Sequence, residues 1–332
     1  MSSIGILALV VLLGLIFDYV NGFHDTANAI ATSVSTKALS PRTAVLMAAV
    51  LNFIGALSGT AVAKKIGSGI VNPDVVSVSV LSAALIGAIA WNIITWYFGI
   101  PSSSSHALIG GLMGAAISAY GLESVNWRSF LEILAVLIIS PAVGMLVGSF
   151  FMTVFYWIFG RFSPARINNV FRRLQMLSAG MMSFAHGSND AQKSMGIITL
   201  ALLTAHVIPE FSVPMWVIVL CATSMAMGTL LGGWKIIKTM GGKIFRIEPI
   251  NGFASDFSSS LVIYSASFLG MPVSTTHVVS SAIMGVGAVK RLKGVRWGIA
   301  QQIVTAWLIT IPSAALITAI FFNLGRLLIR FF

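Results

Sequence analysis

Five apolar runs dominate this sequence: residues 43–63, 76–100, 130–159, 213–234 and 299–325. Each reaches or exceeds the roughly 20 residues that a helix needs to cross a lipid bilayer. In lipid, backbone N–H and C=O groups must pair within their own segment, which selects helices over open sheets. Charge content points the same way, because only 9% of the residues are charged against about 25% in a soluble domain. The expectation is an all-α polytopic membrane protein whose first partner is the lipid bilayer. Residues 1–20 contain no Lys or Arg, so the first apolar stretch reads as a retained helix rather than a signal peptide. The net charge of +11 could suggest nucleic acid. The basic residues fall in short clusters between apolar runs, however, which follows the positive-inside rule, and no nucleic-acid partner is expected. The single cysteine, Cys221, sits inside an apolar run and reports nothing about disulfides.

A duplication organises the chain. Asn21-Gly22-Phe23-His24-Asp25 is echoed by His186-Gly187-Ser188-Asn189-Asp190. Pro101-Ser102-Ser103-Ser104-Ser105-His106 is echoed by Pro272-Val273-Ser274-Thr275-Thr276-His277, and Trp127 with Pro141 by Trp297 with Pro312. The offsets are 165 for the first pair and 170 or 171 for the others (190 − 25, 297 − 127, 272 − 101). Residues 1–159 and 174–332 are therefore read as two repeats, joined by a basic stretch, 160–173, that contains Arg161, Arg166, Arg172 and Arg173 and belongs on the cytoplasmic side. Lys290, Arg291, Lys293 and Arg296 form a second basic cluster, whereas its first-half counterpart around Gly121-Leu122-Glu123-Ser124 has none. Opposite bias in equivalent loops predicts inverted repeats with both termini outside. The pair Lys64-Lys65 and Lys235/Lys238, basic in both halves, runs against that pattern.

Each half carries one polar helical segment and one proline-led Ser/Thr cluster. Within 21–36, Asp25, Asn28, Thr32 and Ser35 recur at three- and four-residue spacing and share a helical face. Within 184–196, Ser188, Asn189, Asp190, Gln192, Lys193 and Ser194 are similarly crowded. A carboxylate at membrane depth marks an ion path or a paired charge. Asp190 and Lys193, three apart, could simply neutralise each other, while Asp25 has no Lys or Arg within four positions. A carboxyl group buried without a cation holds its proton, which would suit proton rather than sodium coupling.

In the clusters 101–106 and 272–277, proline is expected in the first helical turn, where the following N–H groups lack intrahelical partners. Those groups sit at the positive end of the helix dipole and form an anion site. The alternative is that the hydroxyls merely bond back to the preceding turn. His106 and His277 close the clusters and either donate to an anion, relay a proton, or pack. Gly110, Gly111, Gly114, Gly285 and Gly287 allow close helix contact beside them. Hydroxyl donors suit an oxyanion, whereas Asp25 and Asp190 repel it, so cations between the two make electrostatic sense. The combination predicts cation–anion symport. No spacing forms a metal site with its own closed ligand set, and no cofactor is expected.

The segment from Gly22 to Val34 and the segment from Phe184 to Gly196 resemble the two signatures of the PiT family of inorganic phosphate transporters. The proline-led clusters match as well, and the likeness runs essentially from end to end. One departure is His24-Asp25 where the first signature usually reads Asn-Asp. The resemblance implies an inverted-repeat transporter with about 10–12 transmembrane helices and two re-entrant helical hairpins. It implies phosphate held by Ser103, Ser104, Ser105, Ser274, Thr275 and Thr276, and a coupling cation, sodium favoured, served by Asp25, Asn28, Asn189 and Asp190. Gln192, Lys193, His106 and His277 form a second rank at the substrate site. The expected function is import of inorganic phosphate by alternating access in the cell (inner or plasma) membrane, with a homodimer left open. Proton-coupled phosphate or metal-phosphate symport, sulfate permeation by the same fold, and an anion channel are the alternatives. An enzyme is not expected, because no nucleophile has a paired base.

Overall fold

The computed structural model describes residues 3–71 and 76–331. Met1, Ser2 and Phe332, the outer limits of the two expected repeats, lie outside the described residues, as does the side chain of Lys290. Twelve α-helices make up the described fold. The first half holds α1 (Ser3–Ser35), α2 (Pro41–Ala56), α3 (Ala61–Gly69), α4 (Val78–Phe98), α5 (Ser104–Tyr120) and α6 (Trp127–Phe159). The second holds α7 (Pro164–Thr204), α8 (Met215–Leu231), α9 (Trp234–Lys238), α10 (Pro249–Phe268), α11 (Thr275–Lys290) and α12 (Trp297–Phe331). The order repeats: a long helix, a bent pair, a helix, a break, a shorter helix, and a long helix with an internal proline, Pro141 or Pro312. The bends match too, 73° between α2 and α3 and 62° between α8 and the segment 234–243.

Packing is reciprocal between the halves. α1 lies on α8 as α7 lies on α2, and α5 lies on α12 as α11 lies on α6. Such exchange of equivalent surfaces is what a two-fold relation produces. Glycines allow the close approach: a Cβ at Gly22 would strike the Met225 backbone, and one at Gly187 the Asn52 backbone. The five glycines beside the hairpins behave likewise, with Gly110 and Gly114 against α12, Gly111 against Ala84, Gly285 against Met145 and Gly287 against Phe245.

The molecule is polar inside and apolar outside. Trp157, Leu308 and Leu146 are 87%, 73% and 70% exposed, the signature of a lipid-facing surface. Among the described residues, four helices (α1, α4, α6 and α12) are long and apolar enough to cross a membrane, or up to six spans when each bent pair counts as one. The twelve helices agree with the expected all-α fold, and the smaller number counts only those whose own length and apolarity suffice. Helices α7 and α10 carry the polar signature and a serine-rich face, which lowers their mean hydropathy although each also exposes apolar side chains such as Leu177 and Phe268, and α5 and α11 are short and mostly enclosed by protein.

Three local departures from the sequence reading have simple causes. The apolar run 43–63 breaks at Leu57-Ser58-Gly59-Thr60, and Gln192 accepts from the Val62 and Ala63 N–H groups at the start of α3. Most of the basic stretch 160–173 is already helical, because Pro164 opens α7 with Ser163 before it. The prolines of the two clusters do not occupy the first helical turn. Ser103 and Ser274 are the N-caps, accepting from the N–H of His106 and His277 at 3.2 and 3.3 Å, and Pro101 and Pro272 lie in the extended segments before them. Each segment follows a glycine in the left-handed region, Gly99 (φ 68°) and Gly270 (φ 69°), a conformation that a side chain would oppose.

Candidate ion and anion site

The two breaks bring the starts of α5 and α11 together in the protein interior, where Ser105 Oγ donates to the Val273 carbonyl at 3.1 Å. Ser103, Ser104, Ser105, Ser274, Thr275 and Thr276 are all buried there. The long helices α1 and α7 deliver the acids to this junction. Asp25 accepts from Ser104 Oγ at 2.9 Å and Thr276 Oγ1 at 3.1 Å, and its neighbour His24 places Nδ1 2.7 Å from Oδ1. Asp190 accepts from Lys193 Nζ at 2.6 Å and Thr275 Oγ1 at 3.1 Å, with His186 Nε2 3.5 Å away. Adjacent threonines on one turn of α11 thus reach an acid from each half.

Asp25, His186 and Asp190 each offer one ligand atom, all within 4.8 Å of one another, a spacing that a single cation can bridge. Asn28 donates to Thr275 and Thr276 at 3.3 and 3.0 Å, while its Oδ1 has no protein partner. A buried carbonyl oxygen in that state fits a cation ligand. The starts of two helices complete the cluster; the hydroxyls of Ser104, Ser105, Thr275 and Thr276 donate here to Asp25, the Val273 carbonyl, Asp190 and Asp25, respectively.

The remaining expected residues divide. Lys193 belongs to the cluster through Asp190, as the neutralising pair that the spacing allowed. Asn189 faces α10 instead, donating to Ser267 Oγ at 2.9 Å. Gln192 caps α3 and donates to the Ser188 carbonyl at 2.6 Å. His106 and His277 stack with ring centres 4.4 Å apart, and His277 stacks on Trp307 at 4.0 Å. His106 also places Nδ1 2.8 Å from Ser103 Oγ, so it both packs and ties to the cluster.

Four residues of the interior are given no role in the sequence reading. Thr95 and Ser102 hold His24, at 3.0 and 3.3 Å from Nε2. Asp256 on α10 accepts from Thr32 Oγ1 at 2.7 and 2.8 Å, and Asp18 on α1 accepts from Ser194 Oγ at 2.7 Å. Both acids are fully buried. The signal was available, since any carboxylate in an apolar stretch is a functional candidate.

A multi-pass helical membrane protein with paired hairpins, buried acids and hydroxyl donors at its centre has the architecture of a transporter, not an enzyme. The phosphate transporter family matches residues 21–318, and the chain belongs to it. It is 52% identical over 315 residues to a protein of Bacillus subtilis (strain 168) named "Probable low-affinity inorganic phosphate transporter", covering 94% of this chain and 95% of that one. A Rhizobium meliloti (strain 1021) protein of the same name is 48% identical over 321 residues, covering 95% and 96%. The structure titled "The sodium-dependent phosphate transporter" superposes with a TM-score of 0.89 at 28% identity, covering 97% of this chain and 99% of that one.

Proposed function

We propose that this phosphate transporter is a symporter that imports inorganic phosphate with a cation, sodium favoured, by alternating access between inverted repeats. The observation that carries the reading is the meeting of two helix N-termini with Asp25 and Asp190, of which only Asp190 has a lysine partner. A cation near Asp25, His186, Asp190 and the free Asn28 oxygen would offset the acids, and phosphate would lie against the hydroxyls of Ser103, Ser104, Ser105, Ser274, Thr275 and Thr276. Asn189 would join the cation ligands through its unpartnered Oδ1 after releasing α10. The sodium dependence named for the structural relative supports sodium over protons. Both chain ends are placed outside the cell membrane on the basic-loop argument.

The test is labelled phosphate uptake into proteoliposomes with sodium, potassium or proton gradients imposed separately and excess sulfate as competitor. Saturable, sodium-dependent uptake that ignores sulfate is expected. Uptake driven by protons alone overturns sodium coupling, sulfate transport overturns the substrate, and ohmic conductance overturns symport in favour of a channel.

A further inference from the structure

Asp18 lies seven residues before Asp25 on α1, two helical turns and about 10.5 Å along the axis, on the same face as the signature. It is fully buried. Its Oδ1 accepts from Ser194 of α7, and its Oδ2 has no hydrogen-bond partner among the described residues. The titratable groups that face it are Asp190 and Lys193 from α7, already paired with each other, and the Cys221 thiol from α8. None of these is a free cation. Cys221 itself belongs to a buried apolar cluster with Met195, Ile198, Ala222 and Met225.

A fully buried carboxylate with one hydroxyl donor, one weak thiol donor and no cation of its own is too costly to keep charged, and those donors offer too few oxygens for a metal ion. A proton neutralises it with no further ligands. A second observation lies between this acid and the central cluster. Asn21, three residues after Asp18 and four before Asp25, is wholly buried, and neither its Oδ1 nor its Nδ2 has a partner among the described residues. An amide with both ends free accepts at one and donates at the other, which suits a water-bridged path between the two acids.

We propose that Asp18 is a separate proton-carrying site of this transporter, with Asn21 linking it to the central cluster. The step is a simple protonation: the Asp18 carboxylate takes a proton from the medium on one side, forming the neutral acid, and returns it to the medium on the other. The inference extends the symport reading by a second coupling ion and rests on that reading only for its transport readout.

Infrared spectra of the purified full-length protein test the site without transport. A carbonyl band of a protonated carboxylic acid is expected in the wild type, reduced by one group in Asp18→Asn, and moved to higher frequency in Ser194→Ala, which removes only the hydroxyl donor. An identical band in all three proteins overturns the proposal, and the serine variant keeps the test alive if the aspartate variant fails to fold. In proteoliposomes with a lumenal pH dye, protons moved per labelled phosphate should fall in Asp18→Asn relative to wild type. An unchanged ratio overturns the proposal. Absence of phosphate uptake by the wild type would instead overturn the symport reading, and the infrared band alone would then decide for or against Asp18.

Discussion

Asp25 and Asp190 stand at equivalent places in the two halves, yet their surroundings differ in one decisive respect. Asp190 has a built-in counter-charge, Lys193 at 2.6 Å, and is close to a neutral pair. Asp25 has only His24 and two hydroxyls. The two acids are similar, and one lysine makes them unlike. On the proposed reading the second half would carry its own counter-charge, whereas the first would recruit a cation from outside. A site built this way can be assembled and stable at rest and still depend on an ion for function.

The contrast can be broken most sharply on the Lys193 side. Lys193→Met leaves Asp190 as an unpaired buried charge, and a loss of about 3–5 kcal/mol in folding stability is expected. Thermal unfolding in detergent measures it, and adding Asp190→Asn should restore most of the loss. Recovery by the second substitution marks the pair as structural; no recovery would make Lys193 important for something other than Asp190.

Asp25→Asn should do the reverse, leaving the unfolding temperature nearly unchanged while phosphate uptake falls about 100-fold, equivalent to about 2.7 kcal/mol. Initial uptake rates check this, and a protein that loses stability instead would erase the difference between the halves. Thr276→Val removes the hydroxyl that reaches Asp25 and accepts from Asn28. A loss of about tenfold is expected, read as a raised sodium concentration for half-maximal uptake. Ser105→Ala cuts the bond to the Val273 carbonyl and one proposed phosphate contact, but none to the acids. A change of about two- to fivefold is expected, and an effect as large as that of Thr276→Val would show that contact with the acid is not what sets the two hydroxyls apart.

Much of this arrangement was legible before any coordinates. The apolar runs located α4, α6, α8 and α12 to within a few residues, because lipid-facing helices must be apolar along much of their length. The repeat located both hairpin starts, since Pro101 and Pro272 mark the same break. Helices enclosed by other helices left no such trace. α10 carries Asp256 and a row of serines that hydropathy passes over, and the helix that restarts after the bend is capped at Val62 by Gln192, 130 positions further along. The roles of Asn189 and Gln192 escaped for a related reason. Residues one or two positions from an acid in sequence point to different helices in space, and only the packing of α3 and α10 on α7 decides which.

Thr275 and Thr276 of α11 bind Asp190 and Asp25, one from each half. Because these side chains leave from the same turn, α11 cannot withdraw from one acid and stay with the other. The turn behaves as a logical conjunction. Under the proposed symport, both halves would have to register their charge state before the hairpin is released, and a shift that satisfies only one of them would leave the barrier shut. Such an interlock would oppose slippage, the movement of either ion down its gradient without its companion.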